Sequence, residues 1–160
     1  MNTDALFGLS ILMSFAAFGL VTKLYIWPKL RAARREDALV ALLVPNTFRF
    51  VGLSFLVPGV VSPALPSAFA APAAYGDLAA AILALIAVFA LMARVPWAIA
   101  IVWVFNVWGT VDLLHAIYQG QIGVHIEAGA LGAAFYIPTV VVPPLLVIHG
   151  MIFRLLLRRE

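Results

Sequence analysis

The segment PWAIAIVWVFNVWGTVDLLHAIYQ, residues 96–119, has the length and apolar character of a membrane-crossing helix, yet polar side chains interrupt its interior. A helix needs roughly 20 apolar residues to cross the hydrocarbon core of a bilayer. Inside this one lie Asn106, Thr110, Asp112 and His115. Ionisable side chains are costly in hydrocarbon and usually face the interior of a bundle. The segment therefore predicts a membrane helix that is surrounded by other helices.

Composition indicates that the whole chain, and not only this segment, belongs in a membrane. Of its 160 residues, 65% are hydrophobic and 11% are charged, against roughly 25% charged in soluble domains, and the mean hydropathy is +1.10. Four more segments approach spanning length, at residues 4–27, 37–61, 77–94 and 129–157. We predict an all-α membrane protein in which residues 1–160 form a single domain, a compact bundle of five transmembrane helices.

The distribution of basic residues predicts the orientation of the bundle. An N-terminus outside and a cytoplasmic C-terminus place nine of the ten basic residues on the inner side, as the positive-inside rule expects. These nine are Lys23, Lys29, Arg31, Arg34, Arg35, Arg94, Arg154, Arg158 and Arg159. The first helix is expected to be retained, because its positive charges follow the apolar run, unlike those of a signal peptide. The expected location is a prokaryotic inner (plasma) membrane.

The tenth basic residue, Arg49, lies near the middle of the second predicted helix. At an α-helical rise it is about 16 Å from either end, too deep for the guanidinium to reach water easily. An arginine at such depth needs a buried partner. Asp112 is predicted as that partner, because it lies only about 8 Å from the centre of its own helix. Asp77 begins the third predicted helix and is interpreted instead as a carboxylate favoured by a helix N-terminus.

A polar intramembrane site is predicted around Arg49 and Asp112. The fifth segment is expected to be kinked or broken by Pro138, Pro143 and Pro144, which free backbone carbonyls near the midplane. The other candidate ligand-binding residues are His115, Asn106, Thr110, Asn46, Tyr136, Thr139 and His149. The alternative interpretation is an ion pair that only locks two helices together. The uncharged stretch SPALPSAFAAPAAYG, residues 62–76, is expected to connect the second and third helices outside the membrane.

Cofactor signals are weak. The absence of cysteine excludes disulfides and thiolate metal sites. His115 and His149 lie on opposite sides of the midplane, so they are poor axial ligands for one haem. Asp112, His115, His125 and Glu127 form a second-choice metal site near the outer face, although their spacing matches no established zinc motif. No cofactor is assigned.

Three functions remain open on the sequence. The first is binding or transport of a small polar or anionic ligand, an ion or a proton at the Arg49 site. The second is an accessory or assembly subunit of a larger membrane complex, whose buried charges are structural. The third is an intramembrane acid-base enzyme using His115 with Asp112, for which no nucleophile is present, so enzyme activity is not favoured. Expected partners are the lipid bilayer, a small molecule, and a homo-oligomer or larger complex. Nucleic acid is excluded because no basic, aromatic platform lies outside the bilayer.

Overall fold

Helices account for most of the chain in the computed structural model, which describes residues 2–158 and so leaves Arg159 outside the described residues. The α-helices are α1 (Thr3–Val21), α2 (Trp27–Ala32), α3 (Arg35–Leu43), α4 (Ser67–Met92), α5 (Ala98–Tyr118) and α6 (Val142–Leu156). Two 3₁₀ helices cover Val44–Leu56 and Ala128–Phe135, and π-helical turns cover Thr22–Ile26, Gln119–Gly123 and Ile137–Val141.

Within the described residues, five continuous helical segments are long and apolar enough to cross a membrane. In chain order these first to fifth spans are Thr3–Ala32, Arg35–Leu56, Ser67–Met92, Ala98–Gly123 and Ile137–Leu156. The predicted bundle of five transmembrane helices is thus confirmed, and it indicates an integral membrane protein. The predicted orientation across the membrane stays a prediction. We call the end that carries Arg31, Arg34, Arg94, Arg154 and Arg158 the basic end of the bundle.

The third span lies at the centre of the packing. It contacts the 3₁₀ helix of the second span, α5 and α3. Its buried face is rich in alanine, with Ala74, Ala80, Ala84 and Ala87 fully enclosed. Small residues let membrane helices approach closely. This close packing brings the backbones of neighbouring spans within reach of short polar side chains on α4.

The third span begins ten residues earlier than expected, which corrects two predictions. Residues 67–76 are helical rather than part of a connector, because alanine favours helix strongly enough to tolerate Pro72 inside it. Asp77 is therefore not at a helix N-terminus. It lies about 15 Å along the helix from Ser67, deep within the span.

A long 3₁₀ helix positions Arg49. The buried residues of Val44–Leu56 are Asn46, Arg49, Gly52 and Phe55, each three positions after the previous one. A 3₁₀ helix has three residues per turn, so this spacing aligns the four residues along one edge. Asn46 and Arg49 therefore share one face of this helix. The edge faces α4, which is the neighbour that the second span contacts most closely.

The fifth segment is irregular, as its prolines predicted, but the sharpest break is at a glycine. Gly132 has a φ of +54° and separates two parts of the Ala128–Phe135 helix. A side chain there would collide with the backbone of Val60. The neighbouring Ala133 N–H donates to the Val60 carbonyl at 2.8 Å, which ties this break to the loop after the second span. Pro138 lies in the π-helical turn that starts the fifth span.

The first span packs loosely on the side of the bundle. It contacts α6 and the irregular start of the fifth segment. Among the described side chains of α1, none is buried. The loose contact leaves a cavity between α1 and the other spans.

Candidate functional site

Arg49 is the centre of a buried charged cluster that joins the second, third, fourth and fifth spans. Its Nη2 donates to Asp112 Oδ2 at 2.6 Å and lies 2.8 Å from Asp77 Oδ1, which also accepts from Nε at 2.8 Å. Its Nη1 donates to the Gly109 carbonyl at 3.2 Å and lies 3.4 Å from His149 Nε2. The Arg49 side chain is 0% exposed. A guanidinium has five N–H groups, and these five contacts occupy all of them.

The predicted partnership between Arg49 and Asp112 is confirmed, but Asp77 is a second partner that the sequence interpretation missed. Because the third span starts at Ser67, Asp77 lies at the depth of Arg49 instead of at a helix end. The overlooked signal was the alanine-rich sequence before it, which has high helix propensity. Two carboxylates share one guanidinium, with side-chain exposures of 10% for Asp77 and 12% for Asp112.

His149 and Asn106 extend the cluster through two reciprocal hydrogen bonds. Asn106 Nδ2 donates to the His149 carbonyl at 3.2 Å, and Asn106 Oδ1 lies 2.7 Å from His149 Nδ1. Since Oδ1 can only accept, Nδ1 carries a proton and donates it. Arg49 Nη1 can only donate, so His149 Nε2 is the acceptor and carries no proton. The ring, stacked on Phe105 at 5.3 Å between centroids, is therefore a neutral imidazole held in one tautomer.

This tautomer is a testable expectation. In protein labelled with ¹⁵N-histidine, the His149 ring should show a protonated Nδ1 and an unprotonated Nε2 at neutral pH, because of the partners named above. The His149 signals are assigned by their loss in His149→Gln. Asn106→Leu removes the acceptor and should mix the two tautomers, whereas the exposed His125→Gln should leave the His149 signals in place. A doubly protonated His149 would contradict this hydrogen-bond assignment.

Three glycines make room for the cluster. A Cβ added at Gly52 would lie 2.7 Å from the Asp77 Cβ, and one at Gly76 would lie 2.7 Å from the Asp112 carboxylate carbon. At Gly109 it would lie 2.6 Å from His149 Cε1 and 2.8 Å from Arg49 Nη1. Each distance is shorter than ordinary van der Waals contact. These glycines therefore allow the second, third and fourth spans to bring their charged side chains into direct contact.

A cavity of about 590 Å³ leads to the two carboxylates. One wall is the face of α1 that carries Phe7, Gly8, Ile11 and Phe15, and the opposite walls are mainly apolar side chains of the third, fourth and fifth spans. Asp77 and Asp112 line it, so the exposed parts of both carboxylates face this space. Toward the end opposite the basic end, its lining includes Asp4, Gln121, His125 and Glu127.

Three other predicted site residues, Thr110, Thr139 and Tyr136, make no direct contact with the Arg49 side chain. Thr110 donates to the Asn106 carbonyl at 2.7 Å, and Thr139 donates to the Phe135 carbonyl at 2.7 Å. Tyr136 is 66% exposed. These three residues do not join the contacts of Arg49. The Thr110 hydroxyl reaches the cluster only through the backbone carbonyl of Asn106.

Asn46 and His115 also lie outside the contacts of Arg49. Asn46 is buried one 3₁₀ turn from Arg49, and its Nδ2 donates to the Leu42 carbonyl at 3.0 Å. Its Oδ1 has no hydrogen-bond partner among the described residues. His115 is exposed, with Nε2 3.3 Å from Gln119 Nε2. His115 and Asp112, the acid-base pair considered from the sequence, are therefore not hydrogen-bonded to each other.

The second-choice metal site is not assembled. Over residues 2–158, no group of three or more His, Cys, Asp or Glu side chains is close enough to hold a metal ion. His115 contacts Gln119, and His125 Nδ1 lies 3.0 Å from the Gln121 carbonyl. Asp112 contacts Arg49 instead. Among the described residues, Asp112, His115 and His125 thus each contact a different partner and not one another.

The fold and this cluster define a helical membrane protein with buried arginine–carboxylate ion pairs beneath a largely apolar cavity. Residues 6–157 match a family described as a domain of unknown function (DUF8737), and the chain belongs to that family. No curated protein and no solved structure matches it.

Proposed function

We propose that the chain binds an amphiphilic molecule with a cationic end. Its apolar part occupies the cavity beside α1, and its positive charge lies against Asp77 and Asp112. The observation that carries this proposal is that both carboxylates line an otherwise largely apolar cavity of about 590 Å³. Small-molecule sites commonly have such volumes, with apolar walls and a few polar groups that fix orientation.

The sign of the charge favours a cation over an anion. Arg49 is enclosed, and its N–H groups are occupied by the contacts described above. Two carboxylates face one guanidinium, and the neutral His149 adds no positive charge. An anion in the cavity would meet carboxylates instead of the arginine. A cation or a strong hydrogen-bond donor would add a favourable interaction in surroundings of low dielectric constant.

The position of α1 supports access from the bilayer. This helix forms one wall of the cavity through Phe7, Ile11 and Phe15, while its own side chains remain incompletely buried. A small displacement of α1 would open the cavity toward the hydrocarbon without disturbing Arg49. Molecules that already partition into the membrane fit this route best.

A matched set of ligands tests the proposal. Thermal unfolding of the purified protein is measured with a diaryl tertiary amine and with the alcohol and the carboxylic acid of the same skeleton. We expect the amine to raise Tm, because a ligand at 100 times its Kd stabilises by about 2.7 kcal/mol. The alcohol and the acid should have much smaller effects.

Two variants locate the effect. Asp112→Asn keeps Asp77 as a partner for Arg49 and should remove most of the amine-dependent stabilisation, whereas Glu36→Gln, on an exposed side chain, should not. Ile11→Trp fills the cavity without touching the charges and should also remove the effect. Equal stabilisation by the acid would overturn the cationic specificity. An amine effect that survives Ile11→Trp would overturn the assignment to this cavity.

A structural role is the second candidate, favoured by the direct ion pairs that Arg49 makes with two other spans. In this interpretation the chain is an assembly subunit, and its charges fix the relative positions of the helices. A stoichiometric partner that copurifies with the native protein, together with no response to the amine series, would support this second function over the first.

A further inference from the structure

A second cavity lies at the basic end of the bundle, between α2 and the last turns of α6. Its volume is about 960 Å³. Three arginines line it: Arg31, Arg154 and Arg158. The remaining lining is largely apolar and includes Trp27, Gly150, Phe153 and Leu157. We call this space the arginine groove. It is separate from the cavity beside α1 and shares none of its lining residues.

Helical spacing explains why these residues share one groove. Trp27 and Arg31 are four residues apart on α2, and Gly150 and Arg154 are four residues apart on α6, so each pair lies on one helix face. The Arg154 guanidinium carbon lies 4.5 Å from the centre of the Trp27 ring. This cation–π contact joins α2 to α6 at the basic end of the first span.

The arginines of the groove differ from the other basic side chains in their surroundings. Among the described residues, no carboxylate lies within ion-pair distance of Arg31, Arg154 or Arg158. Nearby Arg34 differs, because it lies 3.7 Å from Glu36 and 3.9 Å from Asp37. Three guanidinium groups around one space, with no carboxylate of residues 2–158 beside them, repel each other and favour an anion between them. Arginine is suited to phosphate because its planar group can donate two parallel hydrogen bonds.

The apolar part of the groove provides room for a hydrocarbon chain. A Cβ added at Gly150 would meet no described atom within 4 Å, so the α6 wall is open at this position. Phe153 on the same helix and Leu157, the residue just after its end, continue the apolar surface. The groove lies at the end of two membrane spans, where lipid headgroups are expected. Basic pockets between membrane helices at this level are typical sites for anionic lipid headgroups.

We propose that the arginine groove binds one anionic phospholipid. The phosphate contacts Arg31, Arg154 and Arg158, and an acyl chain lies along Gly150 and Phe153. This site is independent of the function proposed for the cavity beside α1. A phospholipid headgroup and free inorganic phosphate both present a phosphate anion to the arginines. Only the phospholipid also has an acyl chain, so the acyl chain distinguishes these two ligands.

Native mass spectrometry of the protein released from detergent tests this proposal. The protein is titrated with phosphatidylglycerol, with phosphatidylcholine of identical acyl chains, and with inorganic phosphate. We expect one phosphatidylglycerol to bind at least tenfold more tightly than phosphatidylcholine. Inorganic phosphate at millimolar concentration should compete weakly. Equal affinity for the two lipids, or full displacement by inorganic phosphate, would overturn the proposal.

Matched variants separate the groove from general attraction to positive charge. Arg31→Gln with Arg158→Gln should weaken phosphatidylglycerol binding at least tenfold, whereas Arg34→Gln together with Lys29→Gln, which removes the same charge outside the groove, should not. Gly150→Leu should weaken lipid binding while keeping every charge. A loss of the same size in both charge variants, or unchanged binding in Gly150→Leu, would contradict a defined site. All these positions are exposed, so the variants should fold, which is checked by gel filtration.

Discussion

Replacing Arg49 with methionine is expected to destabilise the folded protein by about 3–5 kcal/mol, the usual cost of leaving a buried charge without its partner. The change removes the guanidinium that Asp77 and Asp112 share and leaves two carboxylates facing each other in a low-dielectric interior. His149 and the Gly109 carbonyl lose a contact as well. The measurement is the free energy of unfolding in mixed micelles, obtained by titration with a denaturing detergent.

A compensated variant separates lost charge pairing from lost packing. Arg49→Met combined with Asp77→Asn and Asp112→Asn removes all three charges, and it should recover a large part of the lost stability. A double-mutant cycle with Arg49→Ala and Asp112→Ala should show a coupling of at least about 1 kcal/mol, because the two side chains are in direct contact. Additive losses would show that the contact contributes nothing, and a triple variant as unstable as Arg49→Met would show that packing dominates.

The second large effect is expected from a single added methyl group. Gly109→Ala places a Cβ against the His149 ring and Arg49, and Gly76→Ala places one against the Asp112 carboxylate. Overpacking of this kind typically costs about 1–3 kcal/mol, and the upper part of that range is expected because the contacted groups are charged and confined. The same unfolding titration measures it.

Gly19→Ala is the matched control. Gly19 is also a glycine inside a membrane helix, but among the described atoms nothing lies within 4 Å of an added Cβ. Alanine is favoured over glycine in a helix by roughly 0.5–1 kcal/mol, so this variant should be at least as stable as the wild type. If Gly109→Ala and Gly76→Ala behave like Gly19→Ala, the three spans do not depend on close approach at the cluster.

Apolar length and charge were enough to predict the five spans and the pairing of Arg49 with Asp112. Both follow from costs that apply to any chain in hydrocarbon: about 20 apolar residues are needed to cross, and a buried arginine needs an anion. Two charged residues at similar depth on different spans leave few other arrangements. His149 and Asn106 were among the predicted polar site residues and lie beside Arg49 in the structure, although their mutual hydrogen bonds could not be inferred from spacing.

Asp77 was missed because one helix boundary was placed too late. Proline and serine in residues 62–76 resemble a connector, and the effect of alanine on helix stability was underestimated. The roles of Gly52, Gly76 and Gly109 depend on which spans touch, and such contacts leave no mark on local sequence. The cavity beside α1 is equally a property of tertiary packing. The second span buries every third residue, a period that is not expected when the segment is assumed to be α-helical. These residues are Asn46, Arg49, Gly52 and Phe55.

The 3₁₀ geometry of the second span also sets its physical length. Its thirteen residues rise about 2.0 Å each and cover about 26 Å, whereas an α-helix of the same residues would cover about 20 Å. If these residues were α-helical, the second span would be about 6 Å shorter. The buried side chains from Asn46 to Phe55 would then no longer lie along one edge, and successive ones would turn away from the third span. The same thirteen residues therefore both lengthen the second span and hold Arg49 on the side that faces Asp77 of the third span.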